Sequence, residues 1–455
     1  MEKELAKQLL HKSAKAFRTQ DAAAADAFCE DYRAFMDDSK TERDAVRNAI
    51  TLAKQAGFSA YTPGQTLRPG QKLYWENRKK SLMLAVIGSE PLSEGFRIMA
   101  SHIDSPRLDL KPAPLYENSG LGYFKTHYYG GIKKYQWTAL PLALHGVVYR
   151  RDGSCVDVCF GEREDEPVLY VSDLMPHISK DQISKPGGEM IAGETLNLIG
   201  GSLPFDGEDG VKLRILSILH EKYGIEERDF ATAELCAVPA QKSRIVGFDN
   251  SMIAAYGQDD KICAYPALRA LAELGTPRHT CVVFLADKEE IGSQGVTGLR
   301  CGAYGNFLRD LCADAGVTDR TAFRNSLCIS ADVGGAYDPN YADAYEAGNS
   351  CYLGNGIVVS KYTGSRGKGG CSDASAEVLS RVTRMLDEGN VVWQTGEYGK
   401  VDQGGAGTVA VDIAKLDIDV VDVGVPLLSM HSPVELATKA DLFEMYRCSQ
   451  VFFQS

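Results

Sequence analysis

At 455 residues the chain has room for two or three domains and a large buried core. Its 44% apolar and 24% charged residues are the mix of a soluble globular protein, which excludes a disordered or fibrous chain. A formal charge of −12, with no cluster of Lys and Arg to offset it, argues against nucleic acid as a partner, and no apolar run is long enough for a membrane span. The first residues, Met1 to Leu10, are charged and lack the apolar centre of a signal peptide. The twelve cysteines are scattered without a Cys-x-x-Cys pair, and Cys236, Cys281 and Cys328 sit inside apolar runs as small hydrophobes. The expected setting is a reducing cytoplasm.

In chain order, Leu5, Leu9, Leu10, Phe17, Phe28, Tyr32 and Phe35 recur among charges over residues 4–35, the pattern of one or two amphipathic helices. Thr41 to Ala56 predicts another, with Thr41 as N-cap and Gly57 as the stop. Leu82 to Ile87 reads as a strand, and Phe96 to Asp104 as a second that runs straight into His102 and Asp104. From about 108 to 249 Gly, Pro and Tyr become frequent, strands are short (Ala139 to Tyr149, Cys155 to Phe160), and 183–210 is glycine-rich and turn-like. One helix, Val211 to Tyr223, interrupts this stretch, which reads as an inserted β-rich domain. Beyond 250, helices and apolar strands alternate. Ile262 to Leu274 is helix, Cys281 to Ala286 and Leu327 to Val333 are strands, Ala374 to Leu386 is helix, Val420 to Val425 strand, and Pro433 to Phe453 a final helix. Alternation of this kind predicts an α/β domain, a mostly parallel sheet flanked by helices, built from residues 1–107 with 250–455 and split by the insertion at 108–249.

The chemistry gathers around Cys281-Val-Val-Phe-Leu-Ala-Asp-Lys-Glu-Glu-Ile-Gly292, an apolar strand followed by a charged run that ends at glycine. Strand ends in α/β sheets are where sites are assembled. Successive side chains of an extended segment point in different directions, so Glu290 can bind a metal while Glu289 handles a proton. Four more strand-end or loop positions carry typical ligands: His102, Asp259, Asp332 and His431. Taken singly, a histidine is more often structural, and an aspartate a cap or turn former. Taken together, nitrogen and carboxylate donors without thiolate suit Zn²⁺, Co²⁺ or Mn²⁺. Two ions need about six ligand positions, and five residues suffice where one carboxylate bridges.

Ser101-His-Ile-Asp-Ser-Pro106, Gln258-Asp-Asp260, Asp287-Lys-Glu-Glu-Ile-Gly292, Ser330-Ala-Asp-Val333 and Met430-His-Ser-Pro433 occur in the order found in the aspartyl aminopeptidase family. Tyr129-Gly-Gly131, Glu234-Leu-Cys236 and Pro339-Asn-Tyr341 extend the resemblance over nearly the whole chain. That family is peptidase family M18, dinuclear metallo-aminopeptidases. The resemblance implies that His102 and Asp332 hold one metal, Glu290 and His431 the other, and that Asp259 bridges them. It implies Asp104 as the carboxylate that orients His102, and Glu289 as general base and acid. It further implies short peptide substrates with an acidic first residue, a 108–249 segment that mediates dimerisation, and a tetrahedral dodecamer enclosing its active sites.

For an acidic side chain, Lys361, Arg366 and Lys368 are candidate partners, Lys361 lying closest to the family pattern; the alternative is a basic surface loop. Gly404 and Gly405 offer either close backbone approach beside a substrate or a structural turn. Two departures bear on the acidic preference. Asp338 stands where eukaryotic members have His before Pro-Asn-Tyr, and Leu174 to Asp181 lacks a clear match to the stretch that reaches a neighbouring active site, although His177 is close. His127 can face the site or belong to a packed aromatic cluster, the second being the expectation. His11, His145, His220 and His279 have no motif context and read as structural or surface residues. Two other readings stay open. One keeps the metals but prefers a neutral first residue. The other is a catalytically silent scaffold, whose signature would be a missing ligand or base, and none is missing.

Overall fold

The computed structural model describes residues 2–10 and 14–455, so His11 lies outside the described residues. The chain divides into two compact units, Met1–Asp104 with Arg244–Met430 and Glu435–Ser455, and Ser105–Ser243 with His431–Val434. All twelve cysteines are free thiols. Among the described residues no helix is long and apolar enough to cross a membrane.

The larger unit is built on a nine-stranded sheet. At its centre Thr280–Ala286 and Leu327–Ser330 flank Phe96–His102, and all three run parallel. Asp419–Gly424 continues the parallel order beyond Leu327–Ser330, while Ser81–Val86 pairs antiparallel with Thr280–Ala286. Both faces are covered, which is why these strands read as unbroken apolar runs rather than alternating ones. Cys281, Val283 and Leu285 enter one core cluster, and Val282, Phe284 and Ala286 the other. Each such side chain contributes about 1.5–3 kcal/mol of burial where it is large and aliphatic or aromatic. The expected mostly parallel α/β sheet flanked by helices is therefore what forms.

The helices follow their local signals. Glu42–Gln55 starts with a capping box, Thr41 Oγ1 accepting from the Asp44 N–H and the Asp44 carboxylate accepting from the Thr41 N–H, and stops at Gly57 with φ +90°. Residues 4–35 resolve into Glu2–Leu9 and Ala22–Asp38, the second capped by Asp21. Two expectations need correction. The segment from Pro433 is not one helix: Glu435–Thr438 is a strand paired antiparallel with Met252–Ala255, and the helix is Lys439–Gln454, with Thr438 accepting from the Asp441 N–H. Sheet pairing overrides the helical pattern there. The strand from Leu327 also ends early, at Ser330, which places Asp332 beyond the edge of the sheet.

The smaller unit carries a six-stranded antiparallel sheet in the order Cys155–Phe160, Leu142–Tyr149, Ala233–Pro239, Arg107–Asn118, Leu121–Tyr129, Leu198–Gly201. Its longest strand, Arg107–Asn118, corrects the expectation of short strands only. Pro112 and Pro114 hide it in the sequence, because proline cannot donate to a ladder. A register shift between Leu110 and Leu115 accommodates them. The hairpin to Leu121–Tyr129 turns at Ser119-Gly120, both with positive φ, as a two-residue loop requires. The helix Gly210–Tyr223 ends at Gly224 with φ +68°.

Candidate metal centre

The parallel register sets Ala286 opposite His102, so two apolar strands deliver their following residues to the same edge of the sheet. From that edge rise His102 and Asp104, then Asp287 to Glu290, and Asp332 from the next strand. Asp259 and Asp260 join them from the first turn of the helix Gln258–Glu273, across a cis peptide bond and with non-helical backbone angles.

His102 is 2% exposed. Its Nε2 lies 3.1 Å from Asp259 Oδ1, 3.8 Å from Asp332 Oδ1 and 4.0 Å from Glu289 Oε2. Its Nδ1 lies 3.1 Å from the Asp104 carbonyl and 3.4 Å from Asp104 Oδ1. The Asp104 carboxylate in turn accepts from the Glu289 N–H at 3.1 Å and the Glu290 N–H at 3.2 Å. One buried carboxylate therefore fixes the imidazole and the loop bearing both glutamates. Two overlapping sets of donor atoms result, His102 with Asp259 and Glu290, and His102 with Asp260 and Asp332, each within 4.8 Å.

The electrostatics are those of buried carboxylates crowded around one imidazole. Burial, then the neighbouring carboxylates, push Asp332 well above the usual carboxylate range. Asp260 is raised by its burial, and His102 only partly opposes the rise. Burial disfavours a charged His102, but Asp104 and Asp259 outweigh it and hold the imidazole well above its ordinary value. Lys261 is fully buried and is pushed down to about 8 by desolvation, against the pull of Glu435, Asp104 and Asp259. Both oxygens of Asp260 are buried, and the Cys263 thiol and the His102 main chain offset part of their charge. Buried carboxylates at this density cost several kcal/mol each unless paired. A nitrogen-and-oxygen donor set of this kind fits a divalent cation such as Zn²⁺, Co²⁺ or Mn²⁺.

The structure thus brings together His102, Asp104, Asp259, Glu289, Glu290 and Asp332. It adds Asp260, which the sequence marks only as the second half of an Asp-Asp doublet. His431 belongs to the smaller unit, with φ +64° and its Nδ1 2.9 Å from the Gly131 carbonyl. A carbonyl only accepts, so Nδ1 carries a proton. A Cβ at Gly131 would stand 3.3 Å from that ring nitrogen, which accounts for glycine there.

The other sequence candidates have local partners. Lys361 Nζ lies 3.2 Å from Asp373 Oδ1 and 3.1 Å from the Ala374 carbonyl, and Lys368 Nζ lies 3.1 Å from Asp373 Oδ2. Arg366 is exposed. Asp338 accepts from the Asn340 N–H at 2.9 Å as the cap of a short turn. A Cβ at Gly404 would stand 1.7 Å from the Tyr398 carbonyl, and one at Gly405, where φ is +124°, 2.0 Å from the Gly364 carbonyl. Their close approach is to the chain's own backbone. His127 is exposed with its ring 5.8 Å from Tyr128, so it does not lie in a packed aromatic cluster, the strand placing it on the solvent side. His177 and His220 are exposed, and buried His145 has Nε2 2.8 Å from Glu162 Oε1.

Carboxylates and a histidine gathered at the carboxyl edge of an α/β sheet make a candidate centre for a divalent cation. The model of the aminopeptidase I zinc metalloprotease family, M18, matches residues 35–453. A probable M18 family aminopeptidase 1 of Clostridium acetobutylicum is 48% identical over 424 residues, 91% of each chain. The crystal structure of an M18 aminopeptidase from Thermotoga maritima superposes with a TM-score of 0.94 at 40% identity, over 98% of this chain and 100% of that one. Aminopeptidase I from C. acetobutylicum gives 0.91 at 42% identity, over 98% and 100%. At 20% identity the S. cerevisiae mApe1 dodecamer shares the fold, with a TM-score of 0.77 over 94% of this chain and 96% of that one. The chain belongs to the M18 family of zinc metallo-aminopeptidases.

Proposed function

We propose that the protein removes the N-terminal residue from short peptides, acidic residues preferred, with two divalent ions, zinc foremost, held by His102, Asp259, Glu290, Asp332 and His431. The observation that carries this reading is that His102 shares one set of donor atoms with Asp259 and Glu290 and another with Asp332, which Asp260 also joins, each within 4.8 Å. The assignment of His431 rests on the order of the motifs, Met430-His-Ser-Pro433 following the other four. Asp259 would serve both ions, as the family resemblance implies.

Such ions, when bound, would lower the pKa of a nearby water and polarise the scissile carbonyl. Glu289 then does the proton work. Its carboxylate reaches to 4.0 Å from His102 Nε2 while its amide is pinned by Asp104, and it is partly exposed, as a group that meets water must be. It accepts the proton from water and passes it to the departing amine. Asp104 keeps the His102 tautomer that leaves Nε2 toward the cation.

The acidic preference draws on Lys361, Arg366 and Lys368, three cations against the one carboxylate of Asp373. That carboxylate, and Asp338, are what favour the second reading, a neutral first residue, and Gly404 and Gly405 would shape the same region. Self-association through the smaller unit, toward a dodecamer with tetrahedral symmetry, is part of the proposal and follows the resemblance. The test is titration of apoprotein with Zn²⁺, Co²⁺ and Mn²⁺ while cleavage of Asp-, Glu- and Leu-amides is followed. Activity saturating at two ions per chain with Asp or Glu fastest supports the proposal. Leu fastest assigns the neutral preference, and no cleavage at any load rejects the enzyme.

A further inference from the structure

We infer that Glu435 is a positioning residue for Asp259, acting through the Asp259 amide and not as a ligand; the inference rests on the metal site proposed above. Glu435 opens the strand Glu435–Thr438 and stands opposite Ala255 in the antiparallel pairing with Met252–Ala255. It is 1% exposed, and its Oε2 accepts from the Asp259 N–H at 3.1 Å. Its main-chain carbonyl accepts from Gln258 Nε2 at 2.7 Å. Gln258 is fully buried, with Nε2 also 3.4 Å from the Ile253 carbonyl and Oε1 3.4 Å from the Tyr32 hydroxyl. One residue therefore grips two consecutive positions, Gln258 by its main chain and Asp259 by its side chain.

The grip falls where the backbone departs from helix, Asp259 having ψ 109° and Asp260 φ −112°. An N–H at the start of a helix has no acceptor within it, and a buried one left unmet is costly. Glu435 supplies that acceptor. The Asp259 carboxylate faces His102 Nε2 at 3.1 Å, and the hydrogen bond to the Asp259 N–H holds the adjoining peptide plane. Residues that orient metal ligands in this way are worth about 10–100-fold in metal affinity.

The same carboxylate lies in the electrostatic neighbourhood of buried Lys261, which offers a rival role as a counter-charge. Two substitutions separate the roles. Glu435→Gln keeps an acceptor oxygen at the same reach and removes the charge. Glu435→Asp keeps the charge and withdraws the oxygen by one methylene. Apoprotein of wild type and each variant is titrated calorimetrically with Zn²⁺, with near-UV circular dichroism as the check on folding. Positioning predicts that E435D binds one of the ions about 10–100-fold more weakly while E435Q stays within about threefold of wild type. The reverse order assigns Glu435 to Lys261 and overturns the inference, as does wild-type affinity in E435D. Should E435D not fold, E435Q still decides, a tenfold loss there counting against positioning and wild-type affinity for it. Failure of the metal site itself would appear in the wild-type titration, before any variant is compared.

Discussion

The Asp104 carboxylate serves three groups from one fully buried position, the His102 ring and the amides of Glu289 and Glu290. An asparagine there presents one oxygen and one NH₂ group, and the NH₂ faces an N–H that needs an acceptor. Asp104→Asn should weaken metal binding by about 10–100-fold, and turnover should remain low even at saturating metal, because the Glu289 loop has lost an anchor. Wild-type turnover at saturating metal would show that the anchor is dispensable. Glu289→Gln should lower kcat by about 10²–10⁴-fold with metal content unchanged. Stoichiometry measured on the purified variant checks the second half, and an unchanged rate removes Glu289 from the proton path. Far from this edge, buried His279 is pushed down to about 4 by burial and by Arg97, Arg278 and Arg381. Its folded value lies below the unfolded one of about 6.5, so the unfolded chain binds more protons between the two. Stability from this group is full above about pH 6.5 and is lost as pH falls toward 4. His279→Gln should shrink the difference in unfolding free energy between pH 7 and pH 5 by about 1–2 kcal/mol after solvent screening, measured by urea titration. An unchanged difference would place the acid sensitivity elsewhere.

At the level of strands, helices and loops, what the sequence displayed was decided by how local each signal was. The strand Thr280–Ala286 and the charged run after it were legible because burial on both faces leaves an unbroken apolar run. The donors at its end were legible as residue types, but their convergence was not, since spacing along a chain says nothing about which strands lie side by side. Asp260 went unassigned for that reason, its role depending on a turn at the head of a helix. Arg107–Asn118 was hidden by its prolines, and Glu435–Thr438 by a helical pattern that sheet pairing overrode. The 399–405 loop shows the same dependence on long-range contact, with Gly405 at φ +124° against Gly364 and Gly404 against Tyr398. Gly405→Ala adds a Cβ in a backbone region almost reserved for glycine, a strain of about 1–3 kcal/mol that the loop relieves by moving. The expected result is a KM for Asp-amide raised several-fold with metal affinity unchanged. An unaltered KM would detach this loop from substrate binding.

At the scale of the molecule, the smaller unit exposes more apolar side chain than a solitary chain needs. Leu174, Met175, Ile178 and Ile183 are 45%, 58%, 60% and 64% exposed within ten residues, and Leu203, Leu213 and Ile218 add to them. Apolar side chains exposed together in this way are the kind of surface on which another chain docks. A net charge of −12 opposes close approach of copies, so any contact must gain more from apolar burial than it loses to repulsion. Replacing Ile178 and Ile183 by aspartate removes apolar area and adds like charge to the same patch. The double variant should therefore sediment as a smaller species than wild type at equal concentration and moderate salt. Because the proposed ligands His102, Asp259, Glu290, Asp332 and His431 all belong to one chain, cleavage of a small amide by the dissociated variant should fall only a few-fold. Loss of cleavage with metal content unchanged would mean that a neighbouring copy completes the site, with exposed His177 inside this same segment as the residue to substitute next. An unchanged sedimentation coefficient would move the contact to another surface.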